Sequence, residues 1–183
     1  MSTNPLSTHH SIPSFITRNR CNEIIESAER FGKWSSNRHK SYPTIDIPIA
    51  ELTDLNLDSE LLQIKKICKD KYTLEEEANI SAFDIFVVKY DQNGQTKLDL
   101  HRDSSVLSFV VLLSHVDDFT GGGTYYEQKN EIIKTEQGDL LIHCGKVKHA
   151  GVDITSGKRY ILIGFMNVES IWIRQKHPAE TRI

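Results

Sequence analysis

His101-Arg102-Asp103, then His149, then Arg159 are the residues of this chain whose types and spacing could do chemistry. Two imidazoles and one carboxylate are the ligand set of the facial triad that holds non-haem Fe(II) and leaves coordination positions open. A guanidinium beyond them is a fixed planar cation able to pair bidentately with the distal carboxylate of a cosubstrate lying on that metal. The ordered set predicts an oxygenase. Side chains at i and i+2 of a strand share a face, so His101 and Asp103 can reach one ion together. A His-x-Asp pair alone also arises by chance in surface turns. The continuation to His149 and Arg159 is what separates the two cases.

The neighbouring residues each have a plainer reading. His143 is the rival for the third ligand position. His149 is preferred because Ala150-Gly151 follow it and the arginine comes soon after, which leaves His143 as a buried or supporting histidine. His115 precedes an acidic turn and reads as solvent-exposed. His9, His10 and His177 fall in the termini, and His39 is undecided. Lys158 and Arg159 point to opposite faces of a strand. Arg159 is the better pocket residue for its forked donors, and Lys158 the surface lysine. The Tyr90 hydroxyl could share the cosubstrate carboxylate with Arg159, or its ring could pack at a rim. Gly121-Gly122-Gly123 lacks the lysine and following helix of a phosphate loop, so it reads as a tight turn.

Elements must hold these residues in place. Thr17 can cap a helix from Arg18 to Phe31, with Cys21, Ile24, Ile25 and Ala28 at helical spacing and Gly32 ending it. A second helix is expected over Asp58–Lys71, with Leu61, Leu62, Ile64, Ile67 and Cys68 inward. Between them Thr44–Ile49 alternates as a half-buried strand does. After the acidic stretch 74–79 the pattern turns to strands: Phe83–Tyr90, Ser105–Ser114, Thr124–Glu127, Ile132–Lys134, Asp139–His143 and Tyr160–Phe165. Asp91-Gln92-Asn93-Gly94 is a turn signal. Two helices followed by regularly spaced strands give an α+β class. The core expected is a jelly roll, or double-stranded β-helix of cupin-like form, with the N-terminal helices packed on one sheet.

Composition sets the outer limits. The 183 residues suit one domain over 12–183, after a polar N-terminus (residues 1–11) expected to be disordered. A net charge of -3 asks for neither a nucleic-acid nor an anionic-membrane partner. No apolar run approaches the ~18 residues that span a bilayer, and Met1–Pro5 lacks the pattern of a secretory signal, so a cytoplasmic location is expected. Cys21, Cys68 and Cys144 are odd in number and far apart, which argues against a disulfide framework.

Several of these segments resemble known proteins. The run Tyr90, Gly94-Gln95, His101-Arg102-Asp103, then Gly121-Gly122-Gly123-Thr124, His149-Ala150-Gly151 and Gly157-Lys158-Arg159-Tyr160 resembles the 2-oxoglutarate/Fe(II) dioxygenases of the prolyl and lysyl hydroxylase superfamily. The nearer likeness is to the C-terminal catalytic domain of procollagen lysyl hydroxylases, through Trp34–His39, Pro43–Ile47 and Phe83–Tyr90. It covers about residues 12 to 168. The resemblance implies a double-stranded β-helix. It implies His101, Asp103 and His149 as iron ligands, Arg159 as the 2-oxoglutarate anchor, and Tyr90 as a helper of that anchor. The implied cofactors are Fe(II), 2-oxoglutarate as cosubstrate, and ascorbate to keep iron reduced.

Three functions are compatible with these residues. One is a hydroxylase of lysyl or prolyl residues in a peptide or protein, using O₂. The second is an oxygenase of a free amino acid or other small molecule. The third is a non-catalytic cupin-like binding module, against which the intact triad and arginine argue. Asp46 and Glu127 could orient a cationic substrate or simply be solvated. Trp34 could line the pocket mouth or pack in the core. Ile171-Trp172-Ile173 is an apolar cluster that could serve a homodimer or close against the core.

Overall fold

The computed structural model describes residues 9–169. Helix α1 spans Arg18–Phe31: the Thr17 side chain accepts from the Arg20 N–H at its start, and Gly32, at φ 68°, closes it with an N–H bond to Ala28. Both ends follow from local chemistry, since a hydroxyl satisfies an orphan N–H and glycine tolerates the left-handed cap. Helix α2 spans Asp58–Tyr72 and buries Ile64, Cys68 and Tyr72. Leu62, expected on the inner face, is 70% exposed. At 3.6 residues per turn it lies about 200° from Ile64, on the opposite side of the helix.

Among the described residues eleven strands follow the chain order β1 (His9–Ile12), β2 (Asp46–Pro48), β3 (Asn79–Asp91), β4 (Leu98–His101), β5 (Leu107–Leu112), β6 (Phe119–Gly121), β7 (Thr124–Tyr126), β8 (Glu131–Ile133), β9 (Leu140–Cys144), β10 (His149–Gly151) and β11 (Ile154–Glu169). They form two antiparallel sheets. The major sheet runs β1-β9-β5-β11-β3-β2, with β6 paired to β11, and the minor sheet runs β4-β10-β7-β8. This is the jelly-roll core of an α+β domain.

The major sheet is buried on both faces. Val87, Leu107, Phe109, Val111, Leu140, Ile142 and Leu162 pack with Cys21, Ile24, Ala28, Ile64 and Cys68 of the helices. The alternate residues Phe86, Val88, Tyr90, Leu112 and Ile161 form a second cluster on the other face. Period-two alternation explains the division. It also explains why these strands read as nearly continuous apolar runs. Polar side chains on the inner face (Ser108, His143, Arg159) therefore stand out as the ones without a packing reason.

Gly164 stands opposite Phe109 in the β11–β5 register. A Cβ there would lie 2.1 Å from the Phe109 ring. Gly164→Ala is expected to destabilise the domain by about 1–3 kcal/mol through overpacking. Thermal unfolding checks it, at roughly 2–4 °C of Tm per kcal/mol for a domain of this size; an unchanged Tm would mean that the ring moves aside freely.

Some expectations need correction. Residues 9–11, assigned to a disordered terminus with His9 and His10, belong to β1, which pairs with β9 in the register His9↔His143 to Ile12↔Leu140. Strands β4, β6 and β10 have only three or four residues each, too few for a period to be read. All three cysteines are free and buried. Residues 1–8, the triplet Ile171-Trp172-Ile173 and His177 lie outside the described residues. Among the described residues no helix is long and apolar enough to cross a membrane.

Candidate metal centre and active site

His101 ends β4 and His149 begins β10, and the two are direct Cα partners across the minor sheet. Their ring centroids lie 4.4 Å apart. Asp103 stands just past the end of β4, held by its N–H bond to the Gly145 carbonyl at 2.8 Å. The second half of the His-x-Asp pair is thus fixed by a loop contact rather than by the strand itself. One nitrogen of each imidazole and one carboxylate oxygen all lie within 4.8 Å of one another.

The outward nitrogens are already committed. Nδ1 of His101 lies 2.7 Å from the Asp99 carbonyl, and Nδ1 of His149 lies 2.9 Å from the Val147 carbonyl. A carbonyl can only accept, so each Nδ1 carries a proton. The Nε2 atom that faces Asp103 is left as the ligating atom. Burial, and then the neighbouring His143, push the His149 pKa down to about 3, so this imidazole is neutral at ordinary pH. Burial would lower the His101 pKa too, yet the bonds to Asp103 and the Asp99 carbonyl outweigh it and raise the value. A proton on Nε2, 3.3 Å from the Asp103 Oδ1, stands where a metal cation would stand. Burial alone would raise the Asp103 pKa. The bonds from His101 and His143 and the charge of His149 overturn this and hold it well below the usual carboxylate range.

A cavity of about 360 Å³ opens on these three residues. Arg159 and Tyr90 line it as well, facing each other as Cα partners of β11 and β3. Arg159 is only 3% exposed and its guanidinium lies 5.5 Å from the centre of the Tyr90 ring. Burial lowers its pKa, and Tyr90 is the group that opposes this. No carboxylate among the described residues pairs with it. Lys158 points the other way, to Asp91 at 3.6 Å, and is half exposed. Two glycines make room. A Cβ on Gly122 would lie 3.0 Å from the Arg159 Cδ, and one on Gly151 would lie 2.8 Å from the Tyr90 hydroxyl. All three residues of Gly121–Gly123 have positive φ, so the triple glycine is a tight turn, here pressed against the arginine.

Other candidate residues fall elsewhere. Glu127 is on the outside, paired with Lys148 at 2.9 Å. Asp46 is neither solvated nor at the mouth: it is fully buried, bonded to Arg38 at 2.6 Å and Thr44 at 2.6 Å. Trp34 packs against the main core, near Tyr160. His39 does line the cavity, with its ring 4.8 Å from Phe86. His115 caps the short turn before β6. Sequence reasoning missed Tyr42, Asp84, Ser108 and Thr124, all cavity residues. Ser108 had a signal, a lone hydroxyl within an apolar strand. Tyr42, whose ring lies 5.0 Å from that of His101, had none.

No family model matches the chain. Curated relatives do. The chain is 31% identical over 175 residues to a procollagen lysyl hydroxylase and glycosyltransferase of Acanthamoeba polyphaga mimivirus, covering 86% of this chain and 19% of that protein. It is 28% identical over 169 residues to the multifunctional procollagen lysine hydroxylase and glycosyltransferase LH3 of Rattus norvegicus, covering 83% and 22%. Its fold matches the crystal structure of a viral collagen prolyl hydroxylase from Paramecium bursaria Chlorella virus-1, at a TM-score of 0.64 and 17% identity over 86% of this chain and 94% of that one.

The homologues of the chain are procollagen lysine hydroxylases, and its fold is that of the 2-oxoglutarate/Fe(II) oxygenases. The chain spans about a fifth of the length of the curated relatives it matches. That oxygenase family implies Fe(II) and 2-oxoglutarate. The residues that line the cavity fit both. Two imidazole nitrogens and one carboxylate oxygen converge, which is the donor set of a facial Fe(II) site. A buried guanidinium without a protein anion faces the same cavity and suits a carboxylate.

Proposed function

We propose that the domain hydroxylates an amino-acid side chain, lysyl or prolyl, in a peptide or protein, while 2-oxoglutarate is decarboxylated to succinate and CO₂. In this reading His101, Asp103 and His149 hold Fe(II), and Arg159 with Tyr90 holds the distal carboxylate of 2-oxoglutarate. The observation that carries it is the buried, anion-free Arg159 sharing one cavity with the His101–Asp103–His149 cluster. Bound iron supplies the activation of O₂ that inserts one oxygen atom into the substrate C–H bond and the other into succinate.

The chain's own residues bind, orient and exclude water. Asp99 and Val147 fix the two imidazoles through their carbonyls. Phe86, Ile161 and Ile163 make the walls apolar, which strengthens the electrostatic hold of Arg159 on a carboxylate. The relatives' names support a peptidyl substrate. So does the rim, where Phe83 and Tyr42 are 53% and 40% exposed and offer aromatic surface for an extended chain. Ascorbate would serve to return oxidised iron to Fe(II).

The test is succinate formation by the purified protein with Fe(II), 2-oxoglutarate and ascorbate, with and without lysine- and proline-rich peptides, and His149→Ala as the blank. Peptide-stimulated turnover absent from the variant is the expected result. Turnover indifferent to every peptide would move the substrate to the small molecules. Neither turnover nor iron binding would sink the reading.

A further inference from the structure

Running from Asp103 toward β9 and β7 is a polar chain that the metal ligands do not explain. His143 on β9 is fully buried and Tyr126 on β7 is 1% exposed. The Tyr126 hydroxyl lies 2.9 Å from Nδ1 of His143, and Nε2 of His143 lies 3.4 Å from Oδ2 of Asp103. Ser108 donates to the same Oδ2 at 2.5 Å, and its oxygen is 2.7 Å from that of Ser105. Oδ1 faces Nε2 of His101 at 3.3 Å, and Oδ2 also lies 3.7 Å from Nε2 of His149.

We propose that Tyr126 and His143 are positioning residues that anchor Oδ2 of Asp103 and so fix the orientation in which its carboxylate meets the metal; this rests on the iron-site reading above. The argument is one of proton placement. A neutral imidazole has one N–H. Nε2 faces a carboxylate oxygen, which only accepts, so the proton belongs on Nε2 and Nδ1 is a bare lone pair. Tyr126 is the donor that satisfies it. Without that donor the proton can move to Nδ1, and a lone pair then faces the carboxylate and turns it. The assembly spans both sheets, and β1 seals it. His9, the Cα partner of His143, stacks on the Tyr126 ring at 4.5 Å and 12°, so water does not replace the hydroxyl.

The test is Mn(II) affinity, with Mn(II) as a redox-stable probe, and 2-oxoglutarate affinity at saturating Mn(II). Tyr126→Phe removes one oxygen and keeps the ring. It is expected to weaken Mn(II) about 10- to 100-fold, the range for lost outer-sphere partners, with 2-oxoglutarate affinity unchanged. His143→Gln keeps an N–H donor toward Asp103 that needs no tyrosine. In that background Tyr126→Phe is expected to add nothing. Equal losses in both backgrounds would assign Tyr126 to packing and overturn the proposal. So would unchanged Mn(II) affinity in Tyr126→Phe alone. A wild-type protein that binds no Mn(II) would overturn the iron-site reading and this inference together; the other two failures leave that reading intact.

Discussion

Asp103→Ala is expected to leave a folded domain that no longer holds a metal, with Mn(II) or Fe(II) affinity down by more than about 100-fold, beyond what lost outer-sphere partners cost. Turnover should fall to background. Asp103 is the one anion of the cluster, and its charge is secured by His101, His143 and Ser108. Alanine leaves the His143 donor buried without an acceptor, which costs about 1–3 kcal/mol, whereas the Ser108 hydroxyl can turn to Ser105. The metal-free variant should therefore melt below the metal-free wild type. The decisive measurement is the rise in Tm on adding metal. At 100 times its dissociation constant a metal stabilises the wild type by about 2.7 kcal/mol, and the variant should gain nothing. A variant that still gained would mean that His143 completes the ligand set with His101 and His149, and the assignment of Asp103 would fail.

Arg159→Leu is expected to separate the two ligands. Metal binding should survive, because Arg159 touches none of the three metal-facing residues. The 2-oxoglutarate affinity should collapse. Each hydrogen bond to a charged group contributes roughly 1.5–3 kcal/mol, and a forked pair makes two. A loss on the order of 3–5 kcal/mol is two to four powers of ten. Arg159→Lys should recover only part of this, since an ammonium offers a point charge without the fork. Stability should hold or rise, because a buried, unpaired guanidinium is replaced by an apolar group. Titrating 2-oxoglutarate into the Mn(II)-loaded variant checks this. Unchanged affinity would take the cosubstrate anchor away from Arg159.

The sequence carried the site better than its setting. His101, Asp103, His149, Arg159 and Tyr90 could be picked out because each is a polar or chargeable group at a fixed offset from a strand, and chemistry limits which side chains can do such work. Helix α1 was legible to the residue because both caps are local, Thr17 at one end and Gly32 at the other. Leu62 was misplaced because its position two residues before Ile64 puts it about 200° round the helix from that core residue. The short strands β4 and β10 carry two of the three candidate metal ligands yet show no period, since they exist through pairing with each other and with β7. Asp46 could not be read as buried, because its partner Arg38 meets it only when the loop folds back. The same holds for the contact of Tyr126 with His143. Long-range pairing of polar groups leaves no signature in a local window.

The alternation along β3 separates what can change from what cannot. Ile85, Val87 and Lys89 answer to the helix side, where Val87 is core and Lys89 caps the Trp34 ring at 4.1 Å. Asp84, Phe86 and Tyr90 answer to the cavity. Phe86 and Tyr90 are themselves buried core, so what enters can be reshaped most freely at Asp84, the least buried of the three. Tyr90 is tied to Arg159 and Asp84 lies further along the cavity, so selectivity is free to drift at one end of a single strand while the Arg159 end stays the same.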